Sequence, residues 1–385
     1  MLTAAYPLAY PGTARCDDHQ IQPFDKWLSL LAGADAVSVD ASGQIYLMGL
    51  TFGGLPTTPN AIQLAPWSTL EPTGFLLKLN SAGSQVLYGT YLNGLYPHLS
   101  VTDQDGFIYI LADHPKQNID GTAVSFPAPV SGNAAQTYPG TFSTPTLLKI
   151  APDGTLVYAT FLGGLSAVSG GALAVDSRGS AVVCGSTLDP TLPVSPGAFQ
   201  SVPGGGYDLF IARVSPDGTA YDALTYLGGG GAEICGGLRL DPIGNVYVYG
   251  YTTSRFYPVT PGAYQTVRGA GANLFAAKLD PAMHSLIWST YLGGNWDTYA
   301  EELINGALPG TQEMAFTSDG GLAFAGTTQA SDYPVSPDTA PEAGFTTALE
   351  DLVNGEVAFE NEVPTVLDLR DGVEARQGHL AALLL

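Results

Sequence analysis

Along most of the chain, apolar and polar positions alternate with period two in short runs separated by Gly, Pro, Asn and Asp. GLRLD (Gly237 to Asp241), VYVYG (Val246 to Gly250), LFAAKLD (Leu274 to Asp280) and SLIWSTYL (Ser285 to Leu292) form one such series. Alternating β-branched and aromatic residues bounded by turn formers predict strands. The series therefore predicts four antiparallel strands. Between the first two stands an Asp with a Gly three residues on, the signature of a tight hairpin. The Asp side chain caps the turn and the Gly takes positive φ.

The series recurs. TYLNG (Thr90 to Gly94), TFLGG (Thr160 to Gly164), TYLGG (Thr225 to Gly229) and TYLGG (Thr290 to Gly294) are spaced by 70, 65 and 65 residues, with a worn copy at Ser29 to Gly33. The hairpin pairs are Asp40 and Gly43, Asp103 and Gly106, Asp176 and Gly179, and Asp241 and Gly244. The strand after each ends in Gly49, Ala112, Gly185 or Gly250. A fifth copy keeps Gly320 and Gly326 but has Thr317 in place of the Asp. A third marker, Pro-x-x-Pro ending in Gln, appears at Leu55 to Gln63, Leu192 to Gln200 and Tyr257 to Gln265, and by its first half at Tyr333 to Pro341.

A lone four-stranded sheet cannot bury both faces, so such units must stack, and radial stacking is the usual solution. The predicted fold class is all-β, a β-propeller of four-stranded antiparallel blades. Its units run over about 34–94, 95–164, 165–229 and 230–294, with a partial unit over 312–349. The partial unit has candidate strands at Glu313 to Thr317, Leu322 to Gly326 and Gly344 to Leu349. It lacks a TYLGG strand, and the stretch 26–33 at the amino end can supply one. Five blades closed by that strand are expected; the alternative is an incomplete arc of a larger propeller. Residues 1–22 are then an extension, 23–349 the propeller, and 350–385 an acidic tail, either a short helix after Pro364 or disordered.

Composition narrows the function classes. The 48 Gly and 28 Pro exclude a helical bundle, while 45 % apolar and 12 % charged residues exclude a disordered polyelectrolyte. A net charge of −22 argues against nucleic acid and anionic membrane surfaces as partners. No apolar run is long enough to span a bilayer, so no membrane insertion is expected, and the first residues make a poor secretory signal.

The markers together, D-x-x-G-N-x-Y-V-x-G, F-P-V-T-P-G-A-Y-Q, D-x-F-x-A-K-L-x-P-x-G and Y-S-T-Y-L-G-G, resemble the bacterial β-propeller repeat known as SBBP. The likeness is fullest over Asp241 to Gly294 and Asp176 to Gly229. It implies a propeller in a secreted or cell-surface bacterial protein. It implies no catalytic residues, because the recurrent positions are turns and packing sites. The family name suggests seven blades, against at most five here.

Little catalytic chemistry is legible. His19, His98, His114, His284 and His379 lack metal-ligand spacing, and no G-x-S-x-G, P-loop or H-E-x-x-H motif occurs. The glycine runs 204–206 and 228–231 read as flexible connections. Asp40, Asp103, Asp176 and Asp241 read as turn caps rather than a ring of cation ligands. Asp113, Asn118 and Asp120 offer oxygens for calcium, in a spacing that departs from the EF-hand; no other cofactor is expected.

Trp296, Asp297, Tyr299, Glu301 and Glu302 follow the last TYLGG and combine aromatics with carboxylates, which suits a sugar. Cys184 and Cys235 fall in neighbouring units, and packing accounts for both, with a disulfide as the alternative. The leading reading is a monomeric, non-enzymatic extracellular scaffold for binding or display. It would meet a glycan or protein on the face carrying the long loops 51–73, 113–145, 186–207, 251–272 and 327–343. A polysaccharide-acting hydrolase or lyase is the alternative and predicts converging acids of raised pKa near the axis, whereas binding predicts exposed aromatics. A spacer without a site is the third reading.

Overall fold

The computed structural model describes residues 33–115, 128–139, 143–163, 167–294, 314–316, 322–328, 366–367 and 379–384. Blade 1 comprises β1 (Gly33–Val39), β2 (Ile45–Thr51), β3 (Thr73–Leu79) and β4 (Val86–Leu92). Blade 2 comprises β5 (Tyr96–Thr102), β6 (Ile108–His114), β7 (Thr144–Ile150) and β8 (Leu156–Phe161). β9 (Ala167–Val175), β10 (Ala181–Thr187), β11 (Asp208–Val214) and β12 (Tyr221–Leu227) make blade 3. β13 (Glu233–Leu240), β14 (Val246–Thr252), β15 (Asn273–Leu279) and β16 (Leu286–Leu292) make blade 4. Within each blade the strands pair antiparallel in chain order.

First strands touch in succession, β1 with β5, β5 with β9 and β9 with β13, so they line the inside of the arc and the fold is a β-propeller. A fifth sheet continues it through β17 (Met314–Phe316), which contacts β13, and β18 (Leu322–Thr328). Here the strand beside β18 is β20 (His379–Leu384), with β19 (Val366–Leu367) at the edge. The C-terminal segment thus enters a sheet, where a helix or a disordered tail was expected. The candidate strand 344–349 and all but Gly33 of the closing strand 26–33 lie outside the described residues, and Gly33 opens β1.

The core lies between blades. β3, β7 and β11 are buried along their whole length because each is covered on both faces. One layer joins Cys184, Ile211 and Leu227 of blade 3 to Val248, Phe275 and Tyr291 of blade 4. Another joins Tyr109, Leu147 and Tyr158 of blade 2 to Val183, Phe210 and Tyr226 of blade 3.

The sequence markers have distinct mechanical duties. In each first hairpin the Asp Oδ1 accepts the N–H groups two and four residues on: Ser42 and Gln44 (2.9 Å each), Asp105 and Phe107 (3.0 Å each), Arg178 and Ser180 (2.9 Å each), Ile243 and Asn245 (3.2 and 2.9 Å). Gly43, Gly106, Gly179 and Gly244 sit at φ between 79° and 89°, where L side chains are strained.

The Gln that ends the proline loop docks that loop on the outer strand. Its N–H donates to the Thr of the TYLGG motif, at 3.0 Å for Gln63 on Thr90 and 2.8 Å for Gln265 on Thr290. Its Oε1 accepts Asn93 N–H (2.6 Å) in blade 1 and Gly293 N–H (3.0 Å) in blade 4. Part of the long loop in each of blades 1 to 4 is therefore committed to covering an outer edge that would otherwise invite strand addition.

Cys184 on β10 and Cys235 on β13 form a disulfide with Cα atoms 6.2 Å apart. This corrects the expectation that packing alone accounts for both, although each is also fully buried. The bridge crosses the blade 3–4 boundary and spans 51 residues. Loop-closure entropy at that length makes its reduction cost about 4 kcal/mol. Denatured, unreduced protein should show one free thiol, rising to three after reduction, with a lower melting temperature. Three thiols without reductant would refute the bridge.

Candidate functional site

The inner strand of each of blades 1 to 4 carries a β-bulge at the same place. Asp35 of β1 is skipped between Ala34, opposite Gly49, and Ala36, opposite Met48. His98 of β5 is skipped between Pro97 and Leu99, Gly171 of β9 between Gly170 and Ala172, and Gly236 of β13 between Cys235 and Gly237. A bulge leaves one residue unpaired and re-aims it. It also explains the small residue two positions before the end of each second strand: a Cβ on Gly250 would collide with the Ile234 carbonyl of the bulged strand. Gly49, Ala112 and Gly185 take the corresponding position.

The four bulges differ in chemistry. At Gly171 a Cβ would press on Cys235, and at Gly236 on the Tyr249 ring, so blades 3 and 4 use glycine for close packing. Blades 1 and 2 present a carboxylate and an imidazole instead. Ser100 Oγ donates to Ser38 Oγ at 2.9 Å and Thr102 Oγ1 to the Val39 carbonyl at 3.3 Å, tying β5 to β1. The two bulged residues thus sit on adjoining strands at the long-loop end of the arc.

Asp113, near the end of β6, joins them. Its Oδ2 is 3.8 Å from His98 Nδ1, too long for a hydrogen bond but close enough for strong charge coupling. His98 Nδ1 also lies 3.4 Å from the Tyr96 carbonyl oxygen. The Asp113 carboxylate and the Tyr96 carbonyl face Nδ1 as acceptors, an arrangement that suits a proton on that nitrogen. Asp113 Oδ1 is buried with no hydrogen-bond partner. Burial pushes the Asp113 carboxyl above the usual range; Asp35 is more exposed, and partial desolvation moves it the same way, with His98 opposing the shift in both cases. The cluster therefore offers two acids that protonate more readily than free carboxyls and an imidazole between them. It can accept hydrogen bonds from hydroxyl or ammonium groups, and it can exchange protons. Next door His114 is structural: its Nδ1 is 2.6 Å from the Gly94 carbonyl and its ring packs on Phe161.

Asp113 is the only member of the expected calcium set among the described residues, and it faces His98; Asn118 and Asp120 lie outside them. Among the described residues no three His, Cys, Asp or Glu side chains gather to hold a metal. Trp296, Asp297, Tyr299, Glu301 and Glu302 also lie outside the described residues. Asp40, Asp103, Asp176 and Asp241 sit at the opposite end of the strands, each holding its own hairpin. Hydrogen bonds from Ser42, Gln44 and Tyr46 keep the Asp40 carboxyl below its ordinary range against a burial that pushes the other way. Exposed aromatics are present at Phe52, Tyr138, Phe256 and Tyr264, spread over the loops of blades 1, 2 and 4. Neither Asp35 nor His98 stood out in the sequence, because a bulge leaves no composition signal and the two are far apart in the chain.

No protein-family model matches the chain, and no curated protein matches it by sequence. Among solved structures it is similar to a gluconolactonase from Xanthomonas campestris, at 13 % identity and TM-score 0.32, over 76 % of this chain and 68 % of that one. It is also similar to an apocarotenoid oxygenase of Synechocystis, at 12 % identity and TM-score 0.33, over 68 % of this chain and 49 % of the oxygenase. A Pyrococcus horikoshii acylaminoacyl peptidase aligns at 7 % identity and TM-score 0.34, over 78 % of this chain and 36 % of the peptidase. The chain thus spans about half of the oxygenase and about a third of the peptidase. At these identities and scores none of the three assigns a role to any residue here.

Proposed function

We propose that this propeller is a binding or display module of an extracellular or cell-surface bacterial protein, without catalysis of its own, with its ligand anchored at Asp35, His98 and Asp113. One observation carries the reading. Of four equivalent bulges, only those of blades 1 and 2 present polar side chains, and Asp113 beside them keeps a carboxylate oxygen without a partner. The ligand class is one that brings hydrogen-bond donors, such as glycan hydroxyls or the ammonium groups of a protein. Trp296, Asp297, Tyr299, Glu301 and Glu302, which follow blade 4 in the chain, remain proposed as further contacts. The resemblance to SBBP repeats supports the location, and so does the Cys184–Cys235 bridge, since disulfides persist in oxidising compartments.

The test is binding of the full chain to a glycan panel and to lysine-rich peptides. His98→Ala and Asp113→Asn should each weaken binding roughly 10- to 100-fold, the worth of one hydrogen bond to a charged group. Unchanged binding in both variants would refute the anchor. A polysaccharide hydrolase or lyase stays as second reading, favoured by the raised acids Asp35 and Asp113. It requires turnover that Asp35→Asn abolishes, so polysaccharide breakdown by the wild type would displace the binding reading.

A further inference from the structure

Two carboxylates meet where blade 3 joins blade 4, far from the cluster described above. Asp208 opens β11 and Glu233 opens β13, and both residues are 0 % exposed. Asp208 Oδ2 accepts Gly204 N–H at 3.1 Å and Gly205 N–H at 3.3 Å. Glu233 accepts Gly229 N–H at 2.8 Å through Oε2, and the Thr252 hydroxyl through Oε1. The fourth oxygen, Asp208 Oδ1, has no donor. A Cβ on Gly228 would collide with both Asp208 Oδ1 and Glu233 Oε2, so these two oxygens border one point. No Lys, Arg or His lies within ion-pair distance of either acid among the described residues. The titratable groups that act on the pair from neighbouring elements are Tyr226 on β12, Tyr257 in the loop after β14 and Tyr291 on β16. Arg268, which acts on Tyr291, donates to the Gly271 carbonyl.

Two bare negative charges in a dry site without a cation would cost several kcal/mol each. Burial pushes the Glu233 carboxyl above its ordinary range too, but donors on both of its oxygens oppose that shift; Asp208 has one oxygen with none. We propose that Asp208 and Glu233 share a proton, with Asp208 Oδ1–H donating to Glu233 Oε2, and that this bond is a pH-responsive latch between blades 3 and 4. The repeat supports the assignment. At the same position blade 4 has Asn273, whose Oδ1 accepts Gly269 N–H at 2.7 Å while its Nδ2 donates to the Gly294 carbonyl at 3.2 Å. A protonated Asp has that same pairing of one acceptor and one donor.

Burial, with Glu233 adding to it, raises Asp208 from 3.8 to about 6. The folded state then holds a proton that the unfolded chain releases near pH 4, so stability is greatest below that pH and falls as pH rises toward 6 and beyond. A shift of this size is roughly a hundredfold in the unfolding equilibrium.

The experiment is thermal melting of the full chain from pH 4 to 8, with infrared spectra at pH 5 and 8. Asp208→Asn, which supplies the donor permanently, should melt higher than wild type at pH 8 and lose the dependence between pH 4 and 7. Glu233→Gln should lose it too. The wild-type spectrum should contain a protonated-carboxyl band at pH 5 that weakens by pH 8, so the test survives if a variant fails to fold. Parallel melting curves for wild type and Asp208→Asn, or no such band, would overturn the proposal. So would a rise in wild-type melting temperature with calcium that Asp208→Asn abolishes, because the pair would then hold a cation.

Discussion

Replacing Asp176 by Ala is expected to cost about 3–5 kcal/mol in urea unfolding, the loss typical of a buried ion pair deprived of one partner. The equivalent Asp40→Ala should cost only about 1 kcal/mol, the typical worth of a turn or cap hydrogen bond. Both aspartates accept the same two backbone N–H groups of their hairpins, and Asp40 accepts the Ser42 and Tyr46 hydroxyls besides, so the larger cost at Asp176 comes from the third strand. Arg213 on β11 bonds Asp176 Oδ2 at 2.6 Å, with the two side chains 8 % and 9 % exposed. Its other nitrogen, Nη2, donates to the Gly244 carbonyl of blade 4 at 2.9 Å.

Removing the carboxylate leaves a guanidinium in a site it cannot leave without breaking the blade 3–4 junction. Lys78, the corresponding residue in blade 1, reaches instead to the Pro152 carbonyl at 3.3 Å and lies over the Tyr46 ring. Asp176→Asn separates the two contributions, since it keeps an Oδ1 for the turn but not the charge. It should retain most of the loss. A double variant, Asp176→Asn with Arg213→Met, should recover part of it, because exchanging a whole buried pair for apolar volume is often neutral. Equal costs at Asp40 and Asp176 would refute the argument.

The second large effect is a coupling between Ala223 and Met283. Ladder register places Tyr88, Tyr158, Ala223 and Trp288 at one position of the outer strands, opposite Lys78, Lys149, Arg213 and Lys278. At the first junction the Tyr88 ring lies where a Cβ on Gly154 of blade 2 would go. At the second, Tyr158 does the same to Gly218 of blade 3. At the third junction the ring has shrunk to Ala223, and the residue at the glycine position has grown to Met283, buried in the same core layer. Met283 even accepts a φ of 57° to sit there.

Met283→Gly should therefore cost about 2–4 kcal/mol, the cavity term exceeding the strain relieved. Ala223→Tyr alone should cost about 1–3 kcal/mol by overpacking. The two together rebuild the arrangement of the other junctions, and the double variant should be more stable than the sum of the singles by at least about 1–2 kcal/mol. Additive losses in a double-mutant cycle would show that the two residues do not share one space.

These effects mark where local reading ends. Asp40, Gly43 and the alternating strand after them form a unit complete within a dozen residues, and the hairpin followed from it directly. Gln63 and Thr90 were visible as markers, but that one docks on the other depends on a loop folding back along its own blade. The small residue near the end of each second strand, Gly49, Ala112, Gly185 or Gly250, was visible as well, without its reason, because the bulge it accommodates belongs to the strand before it. The runs Gly204 to Gly206 and Gly228 to Gly231 read as slack connections. In the fold they press backbone on backbone beside Asp208 and Glu233. Trp296 to Glu302 drew attention by composition, whereas in the described cluster only Asp113 did, as a calcium candidate, and Asp35 and His98 belong to no local pattern.

Period, turn chemistry and unit length belong to the sequence itself, because they rest on hydrogen bonds and side-chain alternation over a few residues. These determined strands, hairpins, blades and the need to stack. Everything that distinguishes one blade from another came from the tertiary structure: the carboxylate and imidazole on adjoining bulges, the acid pair, the disulfide and the Ala223–Met283 exchange. Each joins residues about 50 or more apart, or one blade to the next. Such contacts depend on how twisted sheets meet, and a repeat that writes the same unit four times carries no local record of which copies face each other or what differs between them.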